Sequence, residues 1–304
     1  MQVEITKTPE QIADVGGVKL CYDSFGDPAA PTILLVMGLG APMTAWDERF
    51  CGALAARGFR VVRFDNRDIG RSSRFDAPVN LDFADLMLRR MRGERIDAPY
   101  TLRDMAADAV GLLDHLGIAR AHVVGASMGG MIAQEMAIHF PDRLATLASV
   151  MSSTGNPTLP PPTPEAAAVL FSTPPTTREA FIENFARTWR VLRVGSFPED
   201  EASDRARAEL AFARGLNPMG VARQMLAIFA SGDRRPQLAR LRVPTLVVHG
   251  DVDPLVRLAA GEETARIIPG ARLVVVRGMG HAFPITLWPP VIDALARHAA
   301  APAA

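Results

Sequence analysis

Short, predominantly apolar runs recur along this chain at Thr32–Met37, Phe59–Phe64, Ala121–Gly125, Leu144–Met151 and Thr245–His249, with helical patterns between them. A strand with one wet face alternates polar and apolar residues. These runs do not, so both faces must be covered, as in a parallel sheet between two layers of helix. Helices are predicted around Met43–Arg57, from Thr101 with Met105, Ala109, Leu112, Leu113 and Leu116 on one face, and over Met128–Phe140, stopped by Pro141. Gln11–Val15 and Val18–Tyr22 flank Gly16-Gly17, a two-residue hairpin signal.

The rhythm breaks once. Asn156–Pro164 is dense in proline, and no strand pattern follows until Val243. Ser153–Pro236 instead carries short helix patterns such as Thr177–Arg190 and Asp204–Arg214. Strand and helix then alternate again through Leu258–Ile268, Arg272–Arg277 and Val291–His298. The expected organisation is an α/β core from 1–152 and 237–304, with a helical cap inserted at 153–236. Phe171, Phe181, Phe185, Trp189, Phe212 and Phe229 fall in the insertion. They either line an apolar pocket or simply pack its helices.

Acidic and basic residues balance at 33 each, so no long-range field gathers nucleic acid or anionic membrane. No aromatic–basic nucleic-acid pattern appears. The basic residues are nearly all arginine, read as compositional bias. Cys21 and Cys51 cannot build a disulfide framework for 304 residues and read as buried small apolar groups. The N-terminal stretch MQVEITKTPEQ has no apolar segment of the secretory kind, and Ile33–Ala41 is too short to span a bilayer. A cytoplasmic protein is expected.

Gly125-Ala126-Ser127-Met128-Gly129 matches G-x-S-x-G. The match gains weight from its setting, with strand-like His122-Val123-Val124 before it and a helix after it. A serine hydroxyl is a poor nucleophile until it is presented to a base. A sharp strand-to-helix turn presents it, at the cost of backbone strain. The residues two before and two after Ser127 then crowd together, and only glycine lacks the Cβ that would clash. The following helix N-terminus supplies positive dipole and free N–H groups to a developing oxyanion. A simple Gly-Ser turn would match the pattern too.

The base is sought among six histidines. His115, His139 and His298 fall in helices and His122 in the strand before Ser127. His281, in Gly278-Met279-Gly280-His281, follows the last strand at the sheet edge where catalytic groups of open α/β sheets gather. In Gly250-Asp251-Val252-Asp253-Pro254 either aspartate could orient that imidazole. Asp253 is the better placed, one step further into the loop, leaving Asp251 to cap the turn. The chain order Ser127, Asp253, His281 is the one expected of this fold. Two amides are needed for the oxyanion: Met128 supplies one, and Leu39 in the turn Met37-Gly38-Leu39-Gly40 is the candidate for the other.

Together these residues resemble the α/β-hydrolase superfamily over nearly the whole chain. The stretches Leu34–Gly38, Arg63–Ser72 and Gly278–Ala282 are most similar to aclacinomycin methylesterase and related carboxylesterases. The resemblance implies a Ser127–His281–Asp253 triad with Leu39 and Met128 as oxyanion donors. It further implies hydrolysis of small to medium carboxylic esters, methyl esters included, through an acyl-enzyme, without metal or cofactor. Many superfamily members have His-Gly at Met37-Gly38, but the methylesterase-like branch also has Met. Its oxyanion residue is Gly where this chain has Leu39, a change that spares backbone donation and alters pocket shape. Residues 65–72 read as a tight structural loop.

The same triad serves lactonases, cofactor-free perhydrolases, C–C hydrolases and lipases. Dehalogenases and epoxide hydrolases of this fold use a carboxylate nucleophile, which Ser127 argues against. Neither lysine has a serine three residues before it, and no HExxH zinc motif occurs. Gly38-Leu39-Gly40 with Asp65 mimics part of a dinucleotide fingerprint, but Met43 stands where its third small residue belongs. A non-catalytic ligand-binding scaffold is disfavoured by three filled catalytic positions.

Overall fold

The computed structural model describes residues 5–79, 81–172, 175–194 and 201–300. The chain begins with β1 (Gln11–Asp14) and β2 (Lys19–Phe25), joined through Gly16 and Gly17, whose φ values of 74° and 90° only glycine adopts freely. Then come β3 (Thr32–Val36), a 3-10 turn at Met43–Ala45, α1 (Glu48–Ala55), β4 (Arg60–Phe64), α2 (Phe83–Met91), α3 (Leu102–His115), β5 (Ala121–Ala126), α4 (Met128–His139) and β6 (Leu144–Val150). Between β6 and the next strand lie α5 (Pro164–Leu170), α6 (Arg178–Arg193), α7 (Glu201–Ala213), α8 (Pro218–Ser231) and α9 (Arg235–Leu238). The chain closes with β7 (Thr245–Gly250), α10 (Leu258–Ile267), β8 (Arg272–Val276) and α11 (Trp288–Ala300).

The strands form one eight-stranded sheet in the order β1-β2-β4-β3-β5-β6-β7-β8. β2 runs antiparallel to β1 and β4, and all other pairs are parallel. Successive residues of β3 enter different cores. Leu34 and Val36 pack with Leu112 of α3 and Met136 of α4, whereas Ile33 and Leu35 pack with Phe50 and Leu54 of α1 and Leu295 of α11. Burying each such side chain contributes about 1.5–3 kcal/mol, and the two-sided demand explains the continuous apolar runs. Thr101 and Asp104 form a reciprocal capping box on α3, worth about 1 kcal/mol.

The predicted helix at Met43–Arg57 is broken into the 3-10 turn and α1, with Asp47 capping α1 through the Arg49 N–H. Residues 65–72 tie the sheet to the helices that follow β6, and Ile69 and Gly70 line the cavity beneath those helices. Asp65 accepts from the Met43 and Arg71 amides and from Arg214 after α7. Asp68 accepts from Tyr100 at 2.7 Å and from Arg223 of α8 at 2.8 Å twice. Cys21 and Cys51 are both free and buried. Among the described residues no helix is long and apolar enough to cross a membrane.

His122, His249 and His298 are packed into the fold, and burial holds each imidazole below its ordinary pKa. Below about pH 6.5 the unfolded chain therefore takes up protons that the folded chain refuses, and stability falls. Each group contributes up to about 1.4 kcal/mol per pH unit. Burial raises Asp108 and Glu135, which work in the opposite direction at lower pH. The urea midpoint is expected to drop between pH 7.5 and 6; a rise would contradict this balance.

Candidate active site

The C-terminal ends of β5, β7 and β8 converge on one spot. Ser127 follows β5 and opens α4, with φ 55° and ψ −121°. A non-glycine residue reaches that conformation only when its surroundings force it. Its amide donates to the Val150 carbonyl at 2.9 Å and its carbonyl accepts from Ser152 Oγ at 2.8 Å. Its hydroxyl makes no capping bond to α4, which leaves it for other work.

The flanking glycines are sterically obligatory. A Cβ on Gly125 would lie 2.1 Å from the Gly129 carbonyl oxygen, and one on Gly129 would lie 2.1 Å from that of Val36. Gly130 permits contact with Ser152, whose Cβ would be 2.6 Å from an added methyl group.

His281 bridges the other two side chains. Its Nε2 lies 3.0 Å from Ser127 Oγ, and its Nδ1 lies 2.8 Å from Asp253 Oδ2. An ionised Asp253 can only accept, so Nδ1 carries the proton and Nε2 is left to accept from the serine hydroxyl. His281 is 5% exposed and Asp253 1%, so both bonds lie largely out of water. Asp253 Oδ1 also accepts from the Leu255 and Val256 amides, each at 2.9 Å, which fixes the carboxylate plane. Asp251 caps the neighbouring turn, its Oδ1 accepting from the Gly278 N–H at 2.6 Å.

Two supporting features were not legible in the sequence. His249, at the end of β7, packs behind the carboxylate. Its Nε2–H donates to the Val256 carbonyl at 2.7 Å, and Nε2 stands 3.6 Å from Asp253 Oδ2. The four-residue spacing to Asp253 was the only available hint. The second feature is the end of α6, where the Leu192 carbonyl accepts the His281 N–H at 2.8 Å. A Cβ on Gly280 would sit 2.3 Å from that same oxygen, so the glycine is what lets α6 reach the histidine loop.

Gly38 stands directly against the nucleophile, where an added Cβ would be 3.2 Å from Ser127 Cβ. Leu39 and Met128 line the same cavity as Ser127 and His281. Met128 is the first residue of α4, so no helical carbonyl precedes it to accept its N–H.

That cavity measures about 730 Å³ and lies between the sheet edge and the inserted helices. Phe171, Phe181, Phe185, Trp189 and Phe229 line it. Phe212 does not; it packs on Phe181 with ring centroids 5.7 Å apart. A smaller chamber of about 270 Å³ adjoins it, sharing Met37, Met151 and Trp189.

The sequence pattern of the α/β hydrolase fold matches residues 31–286. Rhodomycin D methylesterase DauP of Streptomyces sp. (strain C5) is 30% identical, the alignment covering 95% of this chain and 98% of that protein. Rhodomycin D methylesterase DnrP of Streptomyces peucetius is also 30% identical, with 92% and 95% covered. A crystal structure of a hydrolase from Pseudomonas aeruginosa PA01 superposes with a TM-score of 0.70 at 28% identity, covering 96% of this chain and 98% of that one. With the parallel sheet, the strained serine turn and these similarities in hand, the chain belongs to the α/β hydrolase fold family.

Proposed function

We propose that the protein is a serine carboxylic ester hydrolase in which Ser127 is the nucleophile, His281 the general base and Asp253 the residue that orients and stabilises the imidazole. The observation that carries this reading is the continuous row Ser127 Oγ–His281–Asp253, with bonds of 3.0 and 2.8 Å. Its similarity to the rhodomycin D methylesterases supports an ester substrate, methyl esters included.

In the forward step Ser127 Oγ attacks the ester carbonyl as its proton passes to His281 Nε2. The resulting imidazolium is stabilised by Asp253, and the oxyanion takes the N–H groups of Leu39 and Met128. Each donor lowers the barrier by about 3 kcal/mol. His281 then hands its proton to the departing alcohol. Water activated by the same imidazole attacks the acyl-enzyme, releasing the acid and restoring the Ser127 hydroxyl.

Residues 153–236 act as a cap over the site, and their aromatic side chains favour esters with a lipophilic portion. The free thiols fit a reducing, cytoplasmic compartment. Short and medium p-nitrophenyl acyl esters should be turned over faster than long ones. A maximum on emulsified long-chain esters would indicate lipase action instead. A fluorophosphonate probe should label the wild type on Ser127; failure to label would remove the serine mechanism.

A further inference from the structure

The cavity wall is mainly apolar, yet it holds a guanidinium with no carboxylate hydrogen-bonded to it among the described residues. Arg90, on α2, lines the cavity. Its Nη2 donates to the Gly155 carbonyl, and its guanidinium lies 5.6 Å from the centre of the Phe229 ring. Its Nε is buried and has no hydrogen-bond partner among the described residues. Asp233 acts on Arg90 only through space, and the Asp233 carboxylate is already held by Arg235 at 2.7–3.0 Å.

A second guanidinium reinforces the first. Arg234 is 2% exposed and lines the same cavity. Its donors go to neutral oxygens: Gln134 Oε1 at 3.1 Å, Ser153 O at 2.8 Å and Gly232 O at 3.4 Å. Glu135 is 4.0 Å away and is shared with His139 at 3.2 Å. Burial, with the neighbouring Arg90 acting in the same direction, pushes Arg234 down to about 10. Both groups keep their charge at neutral pH. Donors of both guanidiniums are withdrawn from water with no carboxylate hydrogen-bonded to either among the described residues, a desolvation cost that a bound anion would offset.

We infer that this wall is a carboxylate subsite, and that the enzyme takes esters whose lipophilic body bears a free carboxylate remote from the scissile ester. The planar guanidinium of Arg90 suits a carboxylate, and the apolar walls strengthen the pairing by excluding water. This rests on the serine-esterase reading, with Ser127 and Arg90 facing one cavity.

The test compares monomethyl and dimethyl esters of straight-chain dicarboxylic acids over a range of chain lengths. At the length that spans the cavity, the half-ester should exceed its diester in kcat/KM by about tenfold or more. Arg90→Gln should bring that ratio towards one. Independently of catalysis, calorimetric titration of Ser127→Ala should show decanoate binding more tightly than decanamide. Equal binding of the two, or no half-ester preference at any length, overturns the subsite. If the wild type hydrolyses no ester at all while decanoate still binds preferentially, the esterase reading fails and the subsite stands.

Discussion

Ser127→Ala is expected to lower kcat for ester hydrolysis by roughly four to six orders of magnitude while the protein remains folded. The hydroxyl accepts no capping bond from the α4 amides, and its assigned partner is His281 Nε2, so its loss removes chemistry rather than support. Asp253→Asn should cost about 10⁴-fold in kcat. The amide keeps an oxygen for the Leu255 and Val256 N–H groups but places an NH₂ against His281 Nδ1, favouring the wrong tautomer. Asp251→Asn retains an oxygen for the Gly278 N–H and should leave kcat within a few-fold of the wild type, about the scatter of a surface substitution. Steady-state kinetics on a p-nitrophenyl ester, with circular dichroism for folding, decides among them. A crippled Asp251→Asn beside an active Asp253→Asn would reverse the assignment of the acid.

The second large effect is on stability. Gly125→Ala and Gly129→Ala each force a methyl group to 2.1 Å from a backbone oxygen. Those oxygens belong to α4 and β3, which cannot swing aside as a flexible side chain would. The strand-to-helix turn must open, disturbing β5 where it pairs with β3 and β6. Each substitution is expected to cost more than about 4 kcal/mol, at the upper end for a single change, and to leave little soluble protein at 37 °C. A thermal midpoint close to the wild type in either variant would mean that the turn is far looser than its contacts imply.

The parts of the molecule legible in the sequence are those whose causes are local. The strand before Ser127, the glycines around it and the helix after it occupy one short stretch, and each residue type has a steric reason to be there. The preference for Asp253 over Asp251 followed from how far each lies past the strand end; Asp253 stands against His281 Nδ1, and Asp251 accepts from the Gly278 N–H. What escaped depends on distant partners. α2 is only nine residues long, with Asp82 as its N-cap, and α8 has Asn217 with Pro218 at its first turn; side chains of both, Met87 and Arg90 of α2 and Val221 of α8 among them, line the cavity. The arginines looked like compositional bias. Arg63, Arg214 and Arg223 instead sit buried on Asp23, Asp65 and Asp68, pairings between positions up to 155 residues apart that no local pattern can announce.

The bond from His281 N–H to the Leu192 carbonyl bears on how such enzymes can be recombined. The inserted helices are not an interchangeable cassette. A chimera that imports them from a relative must bring a carbonyl to the same place and keep glycine at position 280. Grafting for new selectivity should therefore preserve the 190–193 and 278–281 segments as one matched unit.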